Sequence, residues 1–265
     1  MNVYSVKNYF PRRRRGQFDD VKICLRRCGM AVDQSTGGRG GRRPATRAGA
    51  YHHGDLRQAL LDAAQSILEE RGLEGFTLRE CARRAGVSHA APAHHFGDVA
   101  GLLTAFAASG FRQLSALMRA YREAAPAEPE AQLRAVGLAY IDFAIGHRAQ
   151  FQLMFRDDRL APGDSGLDEA GREAAGHLSD TLAAALATRG LAEKGPDFDR
   201  RLILAWSAVH GFATLLLEGR LDGWRGQQSV PVYASRAGDE VLAVLEVALL
   251  APATAPGRRR RGGGE

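Results

Sequence analysis

Histidines are concentrated in one stretch of the sequence and raise the question of metal binding. Five of the eight histidines lie there, at His52, His53, His89, His94 and His95. Metal ligands on one helix face are spaced by three or four residues, whereas His89 and His94 are five apart and His95 is adjacent to His94. No His-Glu-x-x-His motif or Cys-rich partner accompanies them. The spacing therefore disfavours a metal site and leaves hydrogen-bond donation, or a solvated surface, as their role.

The other reactive side chains form no catalytic pattern. Cys24, Cys28 and Cys81 are too few for a disulfide framework or a zinc quartet, which fits a reducing cytosol. No activated nucleophile, carboxylate pair or phosphate-binding loop stands out. No apolar run approaches the roughly 20 residues that cross a bilayer, and no signal-peptide core follows the early arginines. We therefore expect a cytoplasmic protein that is not an enzyme, has no membrane segment and needs no cofactor or metal.

The segment that begins at Phe76 predicts a short helix with defined ends. Thr77 is a good N-cap, and Glu80 three residues later completes the pattern of a reciprocal capping box. Phe76 and Cys81 occupy the hydrophobic staple positions around that cap. Gly86 stands where the chain would leave the helix through a left-handed residue.

A second short helix is predicted directly after the first. Val87 supplies an apolar plug under the turn, Ser88 can cap the second helix, and Phe96 is placed to close the small core behind it. A turn this short forces the second helix across the first, so its N-terminal side chains can project into a major groove of DNA. The pattern predicts a helix-turn-helix, with an ordinary helix hairpin in an all-α core as the alternative.

The net charge of +6 is unevenly distributed along the chain. Residues 1–50 carry 12 Lys/Arg and 3 Asp/Glu, residues 251–265 carry 4 Arg and 1 Glu, and the 200 residues between them have a net charge of −6. We expect an acidic folded body with two disordered basic tails. A basic arm beside a DNA-reading element indicates attraction to phosphate, although runs of like charge are often only solvated.

Three segments resemble the TetR family of transcriptional regulators. They are YHHGDLR at 51–57, GVSHAAP at 86–92 followed by His95 and Phe96, and the Trp-x3-His-Gly pattern at 206–211. The last is similar to one branch of the family's ligand domains. The resemblance covers about residues 51–250 and implies an all-α protein, in which a three-helix DNA-binding domain precedes a helical effector-binding and dimerisation domain.

The domain boundaries follow from this resemblance and from the helical periodicity. We expect a basic arm at 1–50, a DNA-binding domain at 51–98, an effector and dimerisation domain at 99–250 and a tail at 251–265. Because members of the family begin shortly before their first helix, Met30 is a candidate for the true start. Helices are predicted at about 55–71, capped by Asp55 with Gln58, and at about 99–123, 130–147, 149–156, 168–189, 197–218 and 235–250, with a loop at 219–232.

The resemblance also implies which residues contact DNA. The recognition helix, about His89 to His95, would face the base edges and the phosphates, and arginines of the arm would enter a minor groove or pair with phosphates. The implied base-reading residues are His89, Ala90, Ala93 and His94, the phosphate contacts are Thr77, Ser88 and His95, and the arm residues are Arg42, Arg43 and Arg47. Two departures weaken the match, because Ala93 stands where the family usually has an aromatic residue and Val99 where it usually has a phosphate-binding lysine.

An effector pocket in the body is a further expectation. Such pockets are mostly apolar with a few polar groups. The candidate lining residues are Phe151, Met154, Phe155, Trp206, His210 and Phe212. The same aromatic stripe is also what an ordinary helical core would show.

A homodimer is expected because one short reading helix gives too little contact for a specific site, whereas two paired heads read a palindrome. The resemblance places the interface on the last two helices, where the candidates are Leu202, Ala205, Val209, Ala213, Leu216, Val241, Leu242, Leu245 and Leu249. The same residues could equally form the core within one chain.

The resemblance therefore implies a regulator that binds a double-stranded DNA operator, most often as a repressor in this family, and that leaves a palindromic operator when a small-molecule effector binds. Ala93 and Val99 motivate the alternative of a helical ligand- or partner-binding protein with a weakened DNA-reading head.

Overall fold

The computed structural model describes residues 53–252, with side chains from Leu56 onward. The predicted arm with Arg42, Arg43 and Arg47 and the C-terminal tail from residue 253 lie outside this described part. The prediction that Asp55 caps the first helix is wrong, because that helix begins at His53 and Asp55 lies in its first turn. Every regular element between residues 53 and 252 is a helix, which confirms the all-α fold class. The chain divides into two compact units, at 53–102 and 103–252 of the described range.

The N-terminal unit is a small bundle of short helices. Its elements are α1 (His53–Arg71), a 3₁₀ turn (Leu73–Gly75), α2 (Leu78–Ala85), α3 (Ala91–Phe96) and the first residues of α4 (Val99–Ala124). The apolar stripe of α1 packs on α2, and Leu60 and Cys81 are fully buried. The Cys81 thiol donates a hydrogen bond to the Leu60 carbonyl at 3.3 Å, and burial raises the pKa of that thiol to about 11.

The predicted ends of α2 are largely as expected. The Thr77 hydroxyl oxygen accepts a hydrogen bond from the Glu80 N–H at 3.2 Å, and Gly86 ends the helix with φ of 69°. The reciprocal half of the predicted capping box is wrong, because the Glu80 carboxylate instead accepts from the side chains of Arg83 at 2.7 Å and Arg84 at 3.0 Å. These hydrogen bonds lower the pKa of Glu80 to about 2.

An ion-pair network holds α2 against α1. The Arg84 guanidinium donates to the Glu70 carboxylate at 2.6 Å and to the Ser66 hydroxyl at 2.8 Å on α1, while its Nε donates to Glu80 on α2. Exposed ion pairs individually stabilise little, but a network around one half-buried guanidinium restrains the geometry of two helices. The network therefore fixes the direction of α2 relative to α1.

A close approach of two backbone segments connects α3 to α4. The Asp98 carboxylate accepts a hydrogen bond from the Gly101 N–H at 2.8 Å. The carbonyl oxygen of Phe96 lies so near the Gly101 Cα that a Cβ there would overlap it. Glycine is therefore required by space at this position.

The C-terminal unit contains the remaining helices. They are α4 from Leu103 onward, α5 (Pro129–Gly146), α6 (Arg148–Met154), α7 (Ser165–Thr188), α8 (Pro196–Leu217), α9 (Asp222–Arg225) and α10 (Val230–Leu250). α5 is central, since it packs on α7, α8 and α10. Within the range that the structure describes, no helix is both long and apolar enough to cross a bilayer.

The largest error in the predicted helices is near the C-terminal end. The predicted loop 219–232 contains the short helix α9, and α10 begins at Val230 instead of Ser235. Pro231 explains the error, because it lies in the first turn of α10, where a missing N–H costs no helical hydrogen bond. Pro231 therefore belongs to the start of α10 and not to the preceding loop.

Candidate nucleic-acid interface and effector cavity

One side of the helix-turn-helix presents the predicted reading residues to solvent. We call this side the reading strip; its exposed members are Ser88, His89, Ala90, Ala93 and His94. Thr77 at the start of α2 is also exposed, and His95 is half-buried.

The opposite side of α3 is anchored in the N-terminal unit. Pro92 is buried, Phe96 is half-buried, and the Arg57 guanidinium lies over the Phe96 ring at 5.3 Å from its centroid. α3 is thus held by one side and free on the other, as a groove-reading element must be.

The recognition helix is shorter than predicted. It spans Ala91–Phe96 instead of His89 to His95, and its N-cap is Ala90 with no side-chain cap, so the prediction that Ser88 caps it is wrong. Pro92 has no N–H to donate to the Ser88 carbonyl, which accepts from the Ala91 N–H at 3.0 Å in a tighter turn. His89 and Ala90 therefore belong to that turn.

Basic groups near α3 add a candidate that sequence reasoning missed. Arg83 and Arg84 are engaged by carboxylates. Arg79 is exposed in the first turn of α2, two residues after Thr77, and makes no ion pair with any residue of the described range. A guanidinium beside a helix start suits a phosphate oxygen. The sequence feature that could have identified Arg79 is its position, as a basic residue two positions after the predicted N-cap Thr77.

Two positions lack the side chains that the family resemblance implies, an aromatic residue at Ala93 and a phosphate-binding lysine at Val99. Ala93 is exposed and offers only a methyl group. Val99, the first residue of α4, is 39% exposed and carries no charge. Both positions are accessible, but neither can donate a side-chain hydrogen bond to DNA.

The C-terminal unit contains a partly open, apolar cavity of about 70 Å³. Side chains from α4, α5, α7, α8 and α10 line it, and its aromatic wall consists of Phe111, Tyr140, Phe155 and Trp206. Phe155 and Trp206 were predicted to line a pocket, and the structure places both on this wall. Phe111 and Tyr140 were missed because nothing local distinguishes a pocket aromatic from a core aromatic.

Tyr140 joins the two residues of the Trp-x3-His pattern. Its hydroxyl accepts a hydrogen bond from the Trp206 side chain and lies 2.8 Å from His210 Nδ1. Burial lowers the pKa of His210 and favours the neutral ring, and the tautomer of that ring decides whether Nδ1 accepts from or donates to the Tyr140 hydroxyl. Trp206 and His210 are one turn apart on α8, and both contact the hydroxyl of Tyr140, which lies on α5. Their spacing is explained by this shared partner.

The other predicted pocket residues lie behind the aromatic wall. The Phe151 ring packs 5.5 Å from the rings of both Tyr140 and His210. Met154 is buried, and its sulfur lies against Gly110 of α4, where an added Cβ would be 2.7 Å from it. The structure therefore places Phe151 and His210 in support of the wall and Met154 in the contact between α6 and α4, away from the cavity lining. Phe212 is likewise buried outside the lining.

The predicted dimer residues are core within one chain. Leu202, Ala205, Val209, Ala213, Leu216, Leu242, Leu245 and Leu249 are all buried, and Val241 is half-buried. A different set of large apolar side chains on the same two helices is exposed, and we call it the outer face: Ile203, Leu204, Leu215, Val244 and Val247. Gly211 lies beside it on α8, and a Cβ there would meet no atom within 4 Å, so packing within one chain does not require this glycine.

A buried polar cluster joins α4 to α7. The Ser115 hydroxyl donates to Glu173 at 2.9 Å and lies 2.9 Å from His177 Nε2, and burial together with Arg122 and Arg119 lowers the pKa of His177 to about 4. Ser115 is only 1% exposed, which suits a structural contact better than a nucleophile. Among the residues whose side chains the structure describes, from Leu56 to residue 252, no group of three His, Cys, Asp or Glu side chains is arranged to hold a metal.

This cluster makes stability depend on pH. The pKa of His177 is about 4 in the folded state and about 6.5 in an unfolded chain, so between these values the unfolded state binds more protons. Its contribution is complete above about pH 6.5 and is lost as the pH falls toward 4. The His177→Gln variant keeps an N–H donor for Ser115. When the pH falls from about 7.5 to about 5, we expect its free energy of unfolding to decrease by about 1–2 kcal/mol less than that of the parent. Urea unfolding at constant ionic strength measures this, and equal losses in both proteins would contradict it.

Two family models match the chain. "Bacterial regulatory proteins, tetR family" matches residues 60–106, and "Tetracyclin repressor-like, C-terminal domain" matches residues 133–235. Together they span more than half of the 265 residues. The assignment to the Trp-His-Gly branch stays a prediction.

Among curated proteins, the chain is similar to the HTH-type transcriptional regulator BetI of Burkholderia thailandensis, with 42% identity over 89 residues, 33% of this chain and 46% of that protein. BetI of Paraburkholderia phymatum is 41% identical over 86 residues, 32% of this chain and 44% of that protein. The chain thus spans about half the length of the curated relatives it matches.

Solved structures extend the similarity over both units. A protein with unknown function from Rhodococcus sp. RHA1 is 37% identical with a TM-score of 0.61, over 74% of this chain and 98% of that one. The TetR family transcriptional regulator PfmR of Thermus thermophilus has a TM-score of 0.50 at 21% identity, over 69% of this chain and 97% of that one, and shows a shared fold. The fold, the helix-turn-helix and the two matched models together establish that the chain belongs to the TetR family of bacterial transcriptional regulators.

Proposed function

We propose that this TetR-family regulator is a cytoplasmic repressor, which binds a palindromic operator as a homodimer and leaves it when a small molecule occupies the cavity of the C-terminal unit. The observation that carries the proposal is the reading strip. It is a row of solvent-exposed side chains on α3 and on the turn before it, and the opposite side of α3 is anchored by Pro92 and Phe96.

The reading strip supports a division of labour among the DNA contacts. His89 and His94 carry ring N–H groups that can donate to base edges, whereas Thr77, Ser88 and Arg79 suit phosphate oxygens. The arm residues Arg42, Arg43 and Arg47 would add phosphate or minor-groove contacts in the same proposal.

The outer face supports the homodimer. Val244 and Val247 are 74% and 75% exposed, although valines of a helix normally face a core. Leu204, Gly211 and Leu215 continue the apolar row on α8, and the open space at Gly211 permits a second backbone to approach closely. Two copies related by a two-fold axis that pack their outer faces together would bury these apolar side chains.

The contact between α6 and α4 supports a route from ligand to DNA. The Gln150 amide of α6 donates to the Phe106 carbonyl and to the Ser109 hydroxyl of α4, both at 2.9 Å. The same short helix carries Phe151 and ends at Phe155 of the cavity wall. A ligand that displaces Phe155 would therefore move α6 against α4. A tilt of α4 is a rigid-body change that can alter the separation of two reading heads in a dimer.

Binding to DNA across a salt series tests the proposal. The purified full chain is titrated with the DNA that flanks its own gene and with a scrambled sequence of equal length. We expect a preference for the flanking DNA that persists at high salt, with a footprint of dimer size. Equal affinities that vanish together with salt, with no enriched sequence after selection from random DNA, would contradict it.

A second candidate function is favoured by the exposed Ala93 and Val99. A reading head that lacks a donor at both positions has fewer DNA contacts, and loss of one phosphate contact lowers the salt slope by about one unit. In this alternative the protein acts through a ligand or a protein partner. The salt series distinguishes the two functions.

The division of DNA contacts makes a mutational prediction. We expect His89→Ala to weaken binding to the preferred operator by about 1 kcal/mol, roughly fivefold, and to relax base preference at one position. Arg43→Ala should weaken binding to all sequences to a similar extent. Parallel titrations with the operator, single-base variants and scrambled DNA measure both effects. If the two variants shift every sequence alike, the division is wrong.

A further inference from the structure

We infer that the ligand of the C-terminal cavity is a small cationic amphipath, with an apolar body about the size of one ring and one ammonium or amidinium group that pairs with Glu246. This inference rests on the proposal that the cavity is the effector site.

The volume of the cavity and its aromatic lining favour a ligand whose apolar part is about the size of one ring. On a scale where one water needs about 10–15 Å³, the cavity volume of about 70 Å³ holds the equivalent of roughly five to seven waters. The aromatic side chains of Phe111, Tyr140, Phe155 and Trp206 line this space. An apolar ring of similar dimensions would replace water against these surfaces, which is favourable.

The polar groups of the wall are already engaged, with one exception. The Tyr140 hydroxyl is shared between Trp206 and His210. The Arg134 guanidinium donates two hydrogen bonds to the Asp239 carboxylate, at 2.8 and 2.7 Å, which raises the pKa of Arg134 and lowers that of Asp239. A ligand cannot use these groups without breaking an existing contact.

Glu246 is the exception. It lies on the cavity wall, is half-buried, and makes no hydrogen bond or close ion pair with another residue of the described range. Its charge is felt by Arg134, whose pKa it raises, but Asp239 already holds that guanidinium. Arg134 and Glu246 are the charged residues among those that line the cavity, so with Asp239 the local net charge is −1.

These features together favour a cation. A half-buried carboxylate at an apolar wall gains more from an opposite charge than an exposed one, because the surrounding dielectric is lower. The rings of Trp206 and Tyr140 also attract a cation through their faces when it lies within about 6 Å. An anionic ligand would meet Glu246 with the same sign of charge, and a neutral ligand would leave the carboxylate unpaired.

Three probes of one shape test the inference: benzylammonium, benzyl alcohol and benzoate. Each is titrated into the full chain by calorimetry at low salt. We expect benzylammonium to bind about tenfold more tightly than benzyl alcohol and benzoate to bind most weakly. In Glu246→Gln the preference for the ammonium should fall to about threefold or less, while the affinity for benzyl alcohol stays within about twofold of the parent.

A matched variant controls for the overall charge. Glu240→Gln removes an exposed carboxylate from the same helix, outside the cavity lining, and should leave the tenfold preference in place. Equal binding of benzylammonium and benzyl alcohol to the parent would overturn the inference, but it would not contradict the proposal that the cavity is the effector site. A preference that survives Glu246→Gln would also overturn it. Failure of all three probes to bind would count against the cavity as an effector site, and the inference would fall with it.

Discussion

Val244→Glu combined with Val247→Glu is expected to give a monomer in place of the proposed homodimer and to weaken operator binding by about 100-fold or more. The two valines are the most exposed apolar residues of the outer face, and two carboxylates there would be buried without partners on association. Paired reading heads gain affinity because the second contact is effectively intramolecular, which a monomer loses. Sedimentation equilibrium and operator titration at one salt concentration measure the two effects.

A variant with the same charge and spacing on another helix separates a local effect from a general one. Ala184→Glu with Ala187→Glu adds two carboxylates at exposed positions of α7 and should leave both assembly and DNA binding unchanged. A valine variant that stays dimeric would move the interface to another surface. A monomeric variant with full operator affinity would contradict the palindrome proposal.

Gly101→Ala is expected to destabilise the N-terminal unit by about 2–3 kcal/mol and to reduce DNA binding. A Cβ at this position would overlap the Phe96 carbonyl oxygen, which is a backbone atom and cannot rotate away. The turn from α3 to α4 would have to shift, and α3 carries Ala93 and His94 of the reading strip. Hydrogen exchange of the α1 and α2 amides, together with operator titration, measures both consequences.

A helical glycine with open space around it supplies the comparison. Gly176 lies within α7, and a Cβ there would meet no atom within 4 Å. Gly176→Ala should therefore stabilise the C-terminal unit by about 0.5–1 kcal/mol through the lower entropy of the unfolded chain. If both alanine variants were neutral, the close approach at Gly101 would be less restrictive than the structure indicates.

Local chemistry made the helix-turn-helix predictable from sequence. The cap at Thr77 and the left-handed Gly86 are decided by neighbours within a few residues, so the sequence contains the information. The start of α3 differs from the prediction because of an equally local feature, since Pro92 has no N–H to donate to the Ser88 carbonyl. Propensity and capping rules work where the deciding atoms are close in sequence.

The cavity and the outer face were less predictable because distant residues decide them. α8 is apolar on several sides, and the sequence does not show which side meets α5 and α10. Leu202 and Leu204 are both leucines two positions apart, yet one is core and the other is exposed. Met154 and Phe155 are adjacent, yet a rotation of about 100° directs them to α4 and to the cavity. Tyr140 had no signal, since its partners lie on another helix.

The buried Cys81 thiol gives the DNA-reading unit its own reporter of transient opening. A thiol with a pKa near 11, enclosed by α1 and bonded to the Leu60 carbonyl, offers almost no thiolate to an oxidant or an alkylating reagent. Reaction must wait until the unit opens, so the modification rate equals the opening equilibrium multiplied by the rate of a free thiol. DNA bound to the closed unit would lower the fraction of open protein. Cys81 would then be modified more slowly, although its sulfur atom does not contact the nucleic acid.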